Sequence, residues 1–166
     1  AAIIILDGAN MTELYDGMLR GDLRNIARIG DEKGAIWEQG AISGWPSFSL
    51  PGHLSIFTGA YQGRHGLVSN TFWDREAQAF ESTSLIDLLK PGNQALADAY
   101  FEKYLSTDVE TLFEAVERSF TDVVTASVNE LTQRGADFTT AAQTAENRNL
   151  FTYQTADALA VLQVQQ

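Results

Sequence analysis

A long stretch without acidic residues interrupts this otherwise acidic chain. No Asp or Glu occurs between Glu38 and Asp74, and Arg64 is the only full charge in that interval, although the whole chain has a formal net charge of −11. A buried element would exclude charged side chains from such an interval. A site that holds an anion would exclude carboxylates, because they would repel it. The interval therefore indicates a core element, an anion site, or both.

The same interval predicts a helix that begins near Ser49. Pro51 suits a first helical turn, and Gly59 suits the end of the helix. Ser49 would then lie at the helix N-terminus, where N–H groups and the helix dipole favour an anion. A serine in this place can also be an N-cap and nothing more, and Ser47 is a rival for either role.

The chain begins with a short apolar run that ends at an Asp-Gly pair. Residues 2–6 are apolar without alternation, which is typical of a strand buried on both faces of a parallel sheet. Ligands collect at the carboxyl ends of strands in open α/β sheets, so Asp7 is a candidate for chemistry. The alternative is that Asp7-Gly8 forms only a turn.

The remaining sequence predicts more helices than strands, in an α/β arrangement. Residues 60–70 are expected to form a loop, and residues 93–104 are ambiguous. Helices are expected over residues 12–19, 23–29, 83–90, 108–118 and 154–164, and strands over residues 34–42 and 122–128. We expect a single α/β domain over residues 1–166.

Composition excludes several classes of function. The chain has no cysteine, so disulfides and thiolate metal sites are excluded and any metal must be held by oxygen and imidazole. The chain has 22 acidic and 11 basic residues, and this acidic balance argues against a nucleic-acid-binding face. No apolar run is long enough to be a transmembrane segment. The start without Met suggests a processed, trimmed or truncated chain, so composition does not reveal the compartment.

Motifs of several well-known enzyme classes are missing. Haloacid-dehalogenase-type phosphatases need a second Asp two residues after the first, and Ala9 stands there. Neither Ser47 nor Ser49 has the Gly-x-Ser-x-Gly pattern of a nucleophile elbow. No P-loop or Gly-rich dinucleotide fingerprint follows the first strand.

The order and separation of several short segments nevertheless match one family. They resemble the type I phosphodiesterase/nucleotide pyrophosphatase branch of the alkaline phosphatase superfamily over roughly residues 2–74, with a weaker likeness at residues 109–113 and near residue 124. The matching segments are Ile4-Ile5-Leu6-Asp7-Gly8, Pro46-Ser47-Phe48-Ser49-Leu50-Pro51-Gly52-His53, Ser55-Ile56-Phe57-Thr58-Gly59, His65-Gly66-Leu67 and Asn70.

The resemblance implies a role for each of several residues. Asp7 would be a metal ligand, Ser49 would be the nucleophile with its oxygen on the same metal, and Asn70 would donate a hydrogen bond to a phosphoryl oxygen. His53 and His65 belong to the motif but would be structural. The implied enzyme is a metal-dependent phosphoryl ester hydrolase that forms a Ser49 phosphoenzyme. It would use two divalent metal ions, for which zinc suits oxygen and nitrogen ligands best.

The same resemblance implies an alkaline-phosphatase-like fold with a mostly parallel sheet flanked by helices. Its substrate would be a small phosphate ester, such as a nucleotide, and an extracytoplasmic location is favoured. The family's metal site needs further Asp and His ligands, including an Asp-His-Gly segment. This chain has only two histidines and no Asp-His pair. We therefore expect the N-terminal part of a larger catalytic domain, with the fold incomplete in this chain.

One departure from the family pattern and the shortage of metal ligands keep alternatives open. Many relatives have Asn where Gly52 stands, which leaves a phosphate-monoester phosphatase as an alternative to a phosphodiesterase. The sulfatase signature needs Arg where His53 stands, so a sulfatase is a minor option. The shortage of metal ligands also allows a non-catalytic relative that binds phosphate or a nucleotide without hydrolysing it.

Overall fold

The computed structural model describes residues 2–142. Within this range the chain divides into two compact units, residues 2–43 and residues 44–142. The first unit contains α1 (Met11–Arg20) and α2 (Arg24–Lys33). The second contains α3 (Ser49–Thr58), α4 (Gln62–His65), β1 (Phe72–Asp74), β2 (Ala79–Glu81), α5 (Leu85–Leu89), α6 (Gln94–Tyr104), α7 (Leu112–Ser119), β3 (Ala126–Ser127) and β4 (Phe138–Thr139).

The first unit is a pair of helices whose positions agree with the sequence. Asn10 caps α1, because its Oδ1 atom accepts a hydrogen bond from the Thr12 backbone N–H at 2.8 Å. Gly21 ends α1 in the left-handed conformation, with φ of 80°. The predicted helices over residues 12–19 and 23–29 are confirmed, although α2 continues beyond Gly30 to its end at Lys33.

Two strands predicted for the first unit are wrong. Residues 2–6 are irregular, and Ile3 and Ile4 are 54% and 64% exposed. Residues 34–42 form turns and irregular backbone. A strand needs a neighbouring backbone to pair its N–H and C=O groups, and no segment of residues 2–142 provides a ladder to either stretch. Apolar composition alone does not reveal whether such a partner is present.

The second unit is built around α3. Leu50 and Leu54 are fully buried, and Phe57 follows on the same side of the helix. They confirm that burial is one cause of the acid-free interval. Gly59 ends α3 with φ of 64°, as predicted. The core cluster comprises Leu50, Leu54, Leu67, Leu88, Ala97, Tyr100, Phe101, Leu105, Val109, Leu131 and Ala141.

Helices α5 and α7 were predicted with shifted boundaries, whereas α4 lies within residues 60–70, which were expected to form a loop. Helix α5 is shorter than the expected helix over residues 83–90, and the ambiguous residues 93–104 form α6. Helix α7 was expected to begin at residue 108, but it begins at Leu112. There Thr111 and Glu114 form a capping box that satisfies two backbone N–H groups. The Phe113 ring of α7 stacks on Phe57 of α3 at 5.3 Å between centroids.

The strands of the second unit are short. Strands β1 and β2 form an antiparallel hairpin, whereas β3 and β4 pair in parallel over two residues each. The strand predicted over residues 122–128 is thus reduced to β3, and β4 was not predicted. The mixture of helices and strands agrees with an α/β chain. A mostly parallel sheet is absent from residues 2–142, and the helix predicted over residues 154–164 lies outside the described residues.

One buried carboxylate joins the hairpin to α6. Asp74 Oδ1 accepts hydrogen bonds from the backbone N–H groups of Glu76 and Ala77, at 2.8 and 3.0 Å, which shape the hairpin turn. Its Oδ2 atom accepts from Lys103 Nζ at 2.5 Å and from the Tyr104 hydroxyl at 2.8 Å. The Lys103 ammonium group is the main reason that the pKa of Asp74 lies well below its ordinary value.

No helix in the described part of the chain is long and apolar enough to cross a membrane.

Replacing Leu54 by alanine tests whether α3 anchors the second unit. Leu54 is fully buried in the core cluster, so we expect Leu54→Ala to lower the free energy of unfolding by about 2–5 kcal/mol through lost contacts and a cavity. Ile56 on the same helix is 57% exposed, and Ile56→Ala should change it by less than about 0.5 kcal/mol. Urea denaturation of both variants measures the difference. Equal losses would contradict the assigned faces of α3.

Candidate functional site

Ser49 is the first helical residue of α3. Phe48 occupies the N-cap position, with φ of −85° and ψ of 159°, and its side chain makes no capping hydrogen bond. The interpretation of Ser49 as an ordinary N-cap is therefore wrong by one position. Ser49 is partly buried, and Ser47 is exposed and outside the helix. Of the two serines, Ser49 is the one held by regular structure.

Asn70 takes over the capping function that Phe48 lacks. Its Oδ1 atom accepts a hydrogen bond from the Leu50 backbone N–H at 3.0 Å, across 20 residues of sequence. This bond brings Asn70 beside the first turn of α3 and hence beside Ser49. Because the carbonyl oxygen of the amide is engaged, its orientation is fixed. The Nδ2 amine makes no hydrogen bond with any residue of the range 2–142, so its two N–H donors are available to an incoming group.

The helix N-terminus offers fewer backbone donors than its sequence predicts. Leu50 donates to Asn70, Pro51 has no N–H, and Gly52 donates to the Phe48 carbonyl at 3.0 Å. The helix dipole still places partial positive charge at this end of α3. An anion at Ser49 would therefore meet the dipole and the Asn70 amine rather than a row of backbone N–H groups.

His65 is a structural residue beneath α3. It is fully buried, and its Nδ1 atom accepts a hydrogen bond from the Leu67 backbone N–H at 3.3 Å. Its Nε2 atom therefore carries the proton and donates to Ser55 Oγ at 3.2 Å, and Ser55 in turn donates to the Pro51 carbonyl at 2.8 Å. Burial lowers the pKa of His65 below its ordinary value of 6.5 and keeps the ring neutral.

His53 points to a different part of the chain. Its Nδ1 atom lies 2.8 and 3.0 Å from the two carboxylate oxygens of Glu130, and both side chains are 12% exposed. Glu130 also accepts the Thr132 backbone N–H at 3.1 Å. The two residues are 77 positions apart, so no spacing rule or local motif could have identified the pair from the sequence.

Asp7 lies in the first unit and is exposed. It forms a turn with Gly8, whose φ is 72°, and the Ala9 N–H donates to the Leu6 carbonyl at 3.3 Å. Asp7 and Gly8 thus form a turn, and a turn at this place is compatible with either role expected for Asp7. Ser49 and Asn70 are brought together within the second unit.

The donors in the described residues do not complete a metal site. Oxygen donors such as Asp7 and Ser49 suit divalent cations, but no group of three or more His, Asp or Glu side chains within residues 2–142 is arranged to hold one. A metal ion bound here would need ligands from elsewhere in the protein.

The second unit also has an open groove with an acidic lining. Its volume is about 760 Å³, and it lies between α6 and the loop that leads into α7. Arg134 spans one wall, with its Nη1 atom donating to the Ser106 carbonyl at 3.2 Å and its Nε atom 2.9 Å from Glu114. Neither Ser49 nor Asn70 lines this groove.

Comparison with known proteins decides the family. The family described as Type I phosphodiesterase / nucleotide pyrophosphatase matches residues 1–149. The chain belongs to this family. The match confirms the resemblance inferred from the motifs around Ser49.

One similar protein carries a related name. A protein of Schizosaccharomyces pombe (strain 972 / ATCC 24843), named as an uncharacterized pyrophosphatase/phosphodiesterase, is 35% identical to this family member over 72 residues. The aligned part covers 43% of this chain and only 14% of the relative's length. No solved structure matches the chain.

The pKa of His65 can be tested by titration. The unfolded chain binds a proton near pH 6.5, whereas the folded protein binds it only at lower pH, so the free energy of unfolding should fall as the pH decreases through that value. NMR titration should give an imidazole pKa below 6.5 for the signals that disappear in His65→Gln. This variant should also lose part of the stability change between about pH 7.5 and about pH 5.5. A pKa at or above the ordinary value would contradict the buried neutral ring.

Proposed function

We propose that the protein hydrolyses phosphate esters in the manner of a phosphodiesterase or nucleotide pyrophosphatase, through a phosphoenzyme at Ser49. The observation that carries this proposal is the Leu50–Asn70 hydrogen bond, because it holds an amide donor beside a serine at the start of a helix. Family membership supports a small phosphate ester, including nucleotides, as substrate.

The proposed reaction divides into two displacements. In the first, Ser49 Oγ forms a bond to phosphorus and the bond from phosphorus to the leaving-group oxygen breaks. In the second, water attacks the phosphoserine and the bond to Ser49 Oγ breaks, which releases the phosphoryl product. Asn70 Nδ2 would donate to a non-bridging oxygen in both steps, and the dipole of α3 would favour the negative charge that the oxygens carry.

Ser49 needs activation, because a serine hydroxyl is a poor nucleophile at neutral pH. Two divalent metal ions would supply positive charge that favours the ionised hydroxyl of Ser49. Zinc suits oxygen and nitrogen ligands best. Asp7 and Ser49 would contribute oxygen ligands to these ions. The other ligands would come from residues beyond the described range, since residues 2–142 hold no complete group.

These missing ligands support the view that the chain is part of a larger catalytic domain. The part aligned with the yeast protein covers only 14% of that protein's length, so there is ample additional chain in such a relative to supply Asp and His side chains. We propose that residues 1–166 form the N-terminal part of such a domain. The mostly parallel, alkaline-phosphatase-like sheet would be completed by the remainder.

The preference between diesters and monoesters remains tied to Gly52. A Cβ atom built at Gly52 meets no atom within 4 Å, so the position accepts a Cβ atom such as that of the Asn found there in many relatives. Because this chain has Gly instead, a phosphate-monoester phosphatase is the alternative activity. The lack of a complete ligand group in residues 2–142 favours, as a further candidate, a relative that binds phosphate or a nucleotide without turnover.

Replacing Ser49 by alanine tests the proposed nucleophile. The full-length protein should hydrolyse a nitrophenyl phosphodiester or phosphomonoester when zinc is added, and the activity should disappear with chelator and in Ser49→Ala because the attacking oxygen is gone. Ser47→Ala is the matched control and should retain activity. The faster of the two esters identifies the subclass. Activity that survives in Ser49→Ala would refute the phosphoenzyme, and binding without any turnover by the wild-type protein would favour the non-catalytic relative.

Two substitutions of Asn70 separate its structural and chemical roles. Asn70→Asp keeps an oxygen for the Leu50 N–H and should preserve stability, but it replaces the amine with a negative charge that repels a phosphoryl group. We expect kcat/KM to fall by about 100-fold or more. Asn70→Ala also leaves the buried Leu50 N–H unpaired, so it should in addition lower the free energy of unfolding by about 1–3 kcal/mol. Thermal melts and ester assays on both variants distinguish the two effects. Full activity in Asn70→Asp would remove Asn70 from the substrate site.

A further inference from the structure

We propose that the His53–Glu130 pair is a positioning device that sets the rotation of α3 about its axis and so aims Ser49. This inference rests on the proposed function of Ser49 as a nucleophile. It adds two residues to that function, neither of which would touch the substrate.

The pair is well formed and shielded from solvent. His53 Nδ1 lies 2.8 Å from Oε1 and 3.0 Å from Oε2 of Glu130, with both side chains 12% exposed. A carboxylate accepts hydrogen bonds and does not donate them. The Nδ1 atom of His53 therefore carries a hydrogen and donates a hydrogen bond to Glu130. The contact is therefore directional and specifies the orientation of the imidazole.

Glu130 is itself held in place by its surroundings. Its Oε1 atom accepts the Thr132 N–H at 3.1 Å, and the Thr132 carbonyl accepts the Ser127 hydroxyl at 2.7 Å. Ser127 and Thr132 are buried, and Ser127 belongs to β3, which pairs with β4. The Asn129 N–H donates to Thr140 Oγ1 at 2.7 Å and ties the same turn to the end of β4. Glu130 thus lies in the loop between β3 and β4, and these hydrogen bonds hold that loop in place.

The position of His53 on α3 links it to Ser49. The two residues are four apart, so they lie on the same side of the helix about 6 Å apart along its axis. A helical side chain leans towards the N-terminus, over the preceding turn. The point at which Glu130 holds α3 is therefore on the face that carries Ser49.

Apolar packing alone does not fix this face. Leu50 and Leu54 are buried and set how deeply α3 sits in the core, but apolar burial is non-directional. The Leu50–Asn70 bond orients the first turn, and the His53–Glu130 pair orients the next one. A shift of about 1 Å at a reacting atom can cost on the order of 100-fold in rate, so a second directional contact near Ser49 has a catalytic consequence.

Stability alone is a weak reason for such a pair. Desolvating a carboxylate and an imidazole costs much of what their contact returns, and apolar replacements of such buried pairs are often neutral or better. If the pair orients Ser49, removing it should lower kcat more than it changes KM.

The experiment compares variants of the pair in the full-length protein with zinc supplied. We expect Glu130→Ala and His53→Gln each to lower kcat by about tenfold with KM changed less than about twofold, since the nucleophile is misaimed but the phosphate contacts remain. Glu130→Gln keeps an oxygen that can accept the His53 N–H, so it should recover most of the kcat lost in Glu130→Ala. The double variant His53→Gln/Glu130→Ala should be no slower than the slower single variant, because both remove the same contact.

Ser55→Ala is the matched control on the same helix. It removes the contact with His65 and should lower the melting temperature while leaving kcat unchanged. If Ser55→Ala loses as much kcat as Glu130→Ala, the effect is general destabilisation and the positioning role is overturned. If the wild-type protein is active and the pair variants keep its kcat, the positioning role alone is overturned. If the wild-type protein has no activity, the proposed function fails first and takes this inference with it.

Discussion

The hydrogen bond from the Leu50 N–H to Asn70 Oδ1 is the contact on which the candidate site depends. Helix α3 has no side-chain cap of its own, since Phe48 cannot supply one. Asn70 provides the acceptor from 20 residues away, and it can do so because Gly59 and α4 turn the chain back towards the start of α3. This bond thus joins the two ends of residues 49–70 and places an amide beside Ser49.

The sequence predicted the features that are encoded locally. Helices α1 and α2 were predicted from the residue pattern, and α3 from Pro51 and Gly59, because the signals that start and end a helix lie in neighbouring residues. The acid-free interval correctly indicated a buried helix, as Leu50 and Leu54 demonstrate. The family could also be inferred from the sequence, since its motif residues occur in order and at the right separations within one stretch.

Features that depend on distant partners were missed or misplaced. Residues 2–6 have the composition of a buried strand, but a ladder needs a second segment, and residues 2–142 do not provide it. The expected row of backbone donors at α3 was reduced because Asn70 takes up the Leu50 N–H. Glu130 gave no signal in the sequence at all, because its significance comes from meeting His53 across 77 residues.

The Asn70 amide has a further consequence, which concerns communication between the ligand and the fold. An amide is a polarisable unit: when its amine donates to an anion, its carbonyl oxygen becomes a stronger acceptor, as happens in chains of hydrogen bonds. A phosphoryl group on Nδ2 would therefore tighten the bond that holds the first turn of α3. In the proposed reaction, the first turn of α3 would thus be held more tightly while the phosphoryl group is bound than after the product departs.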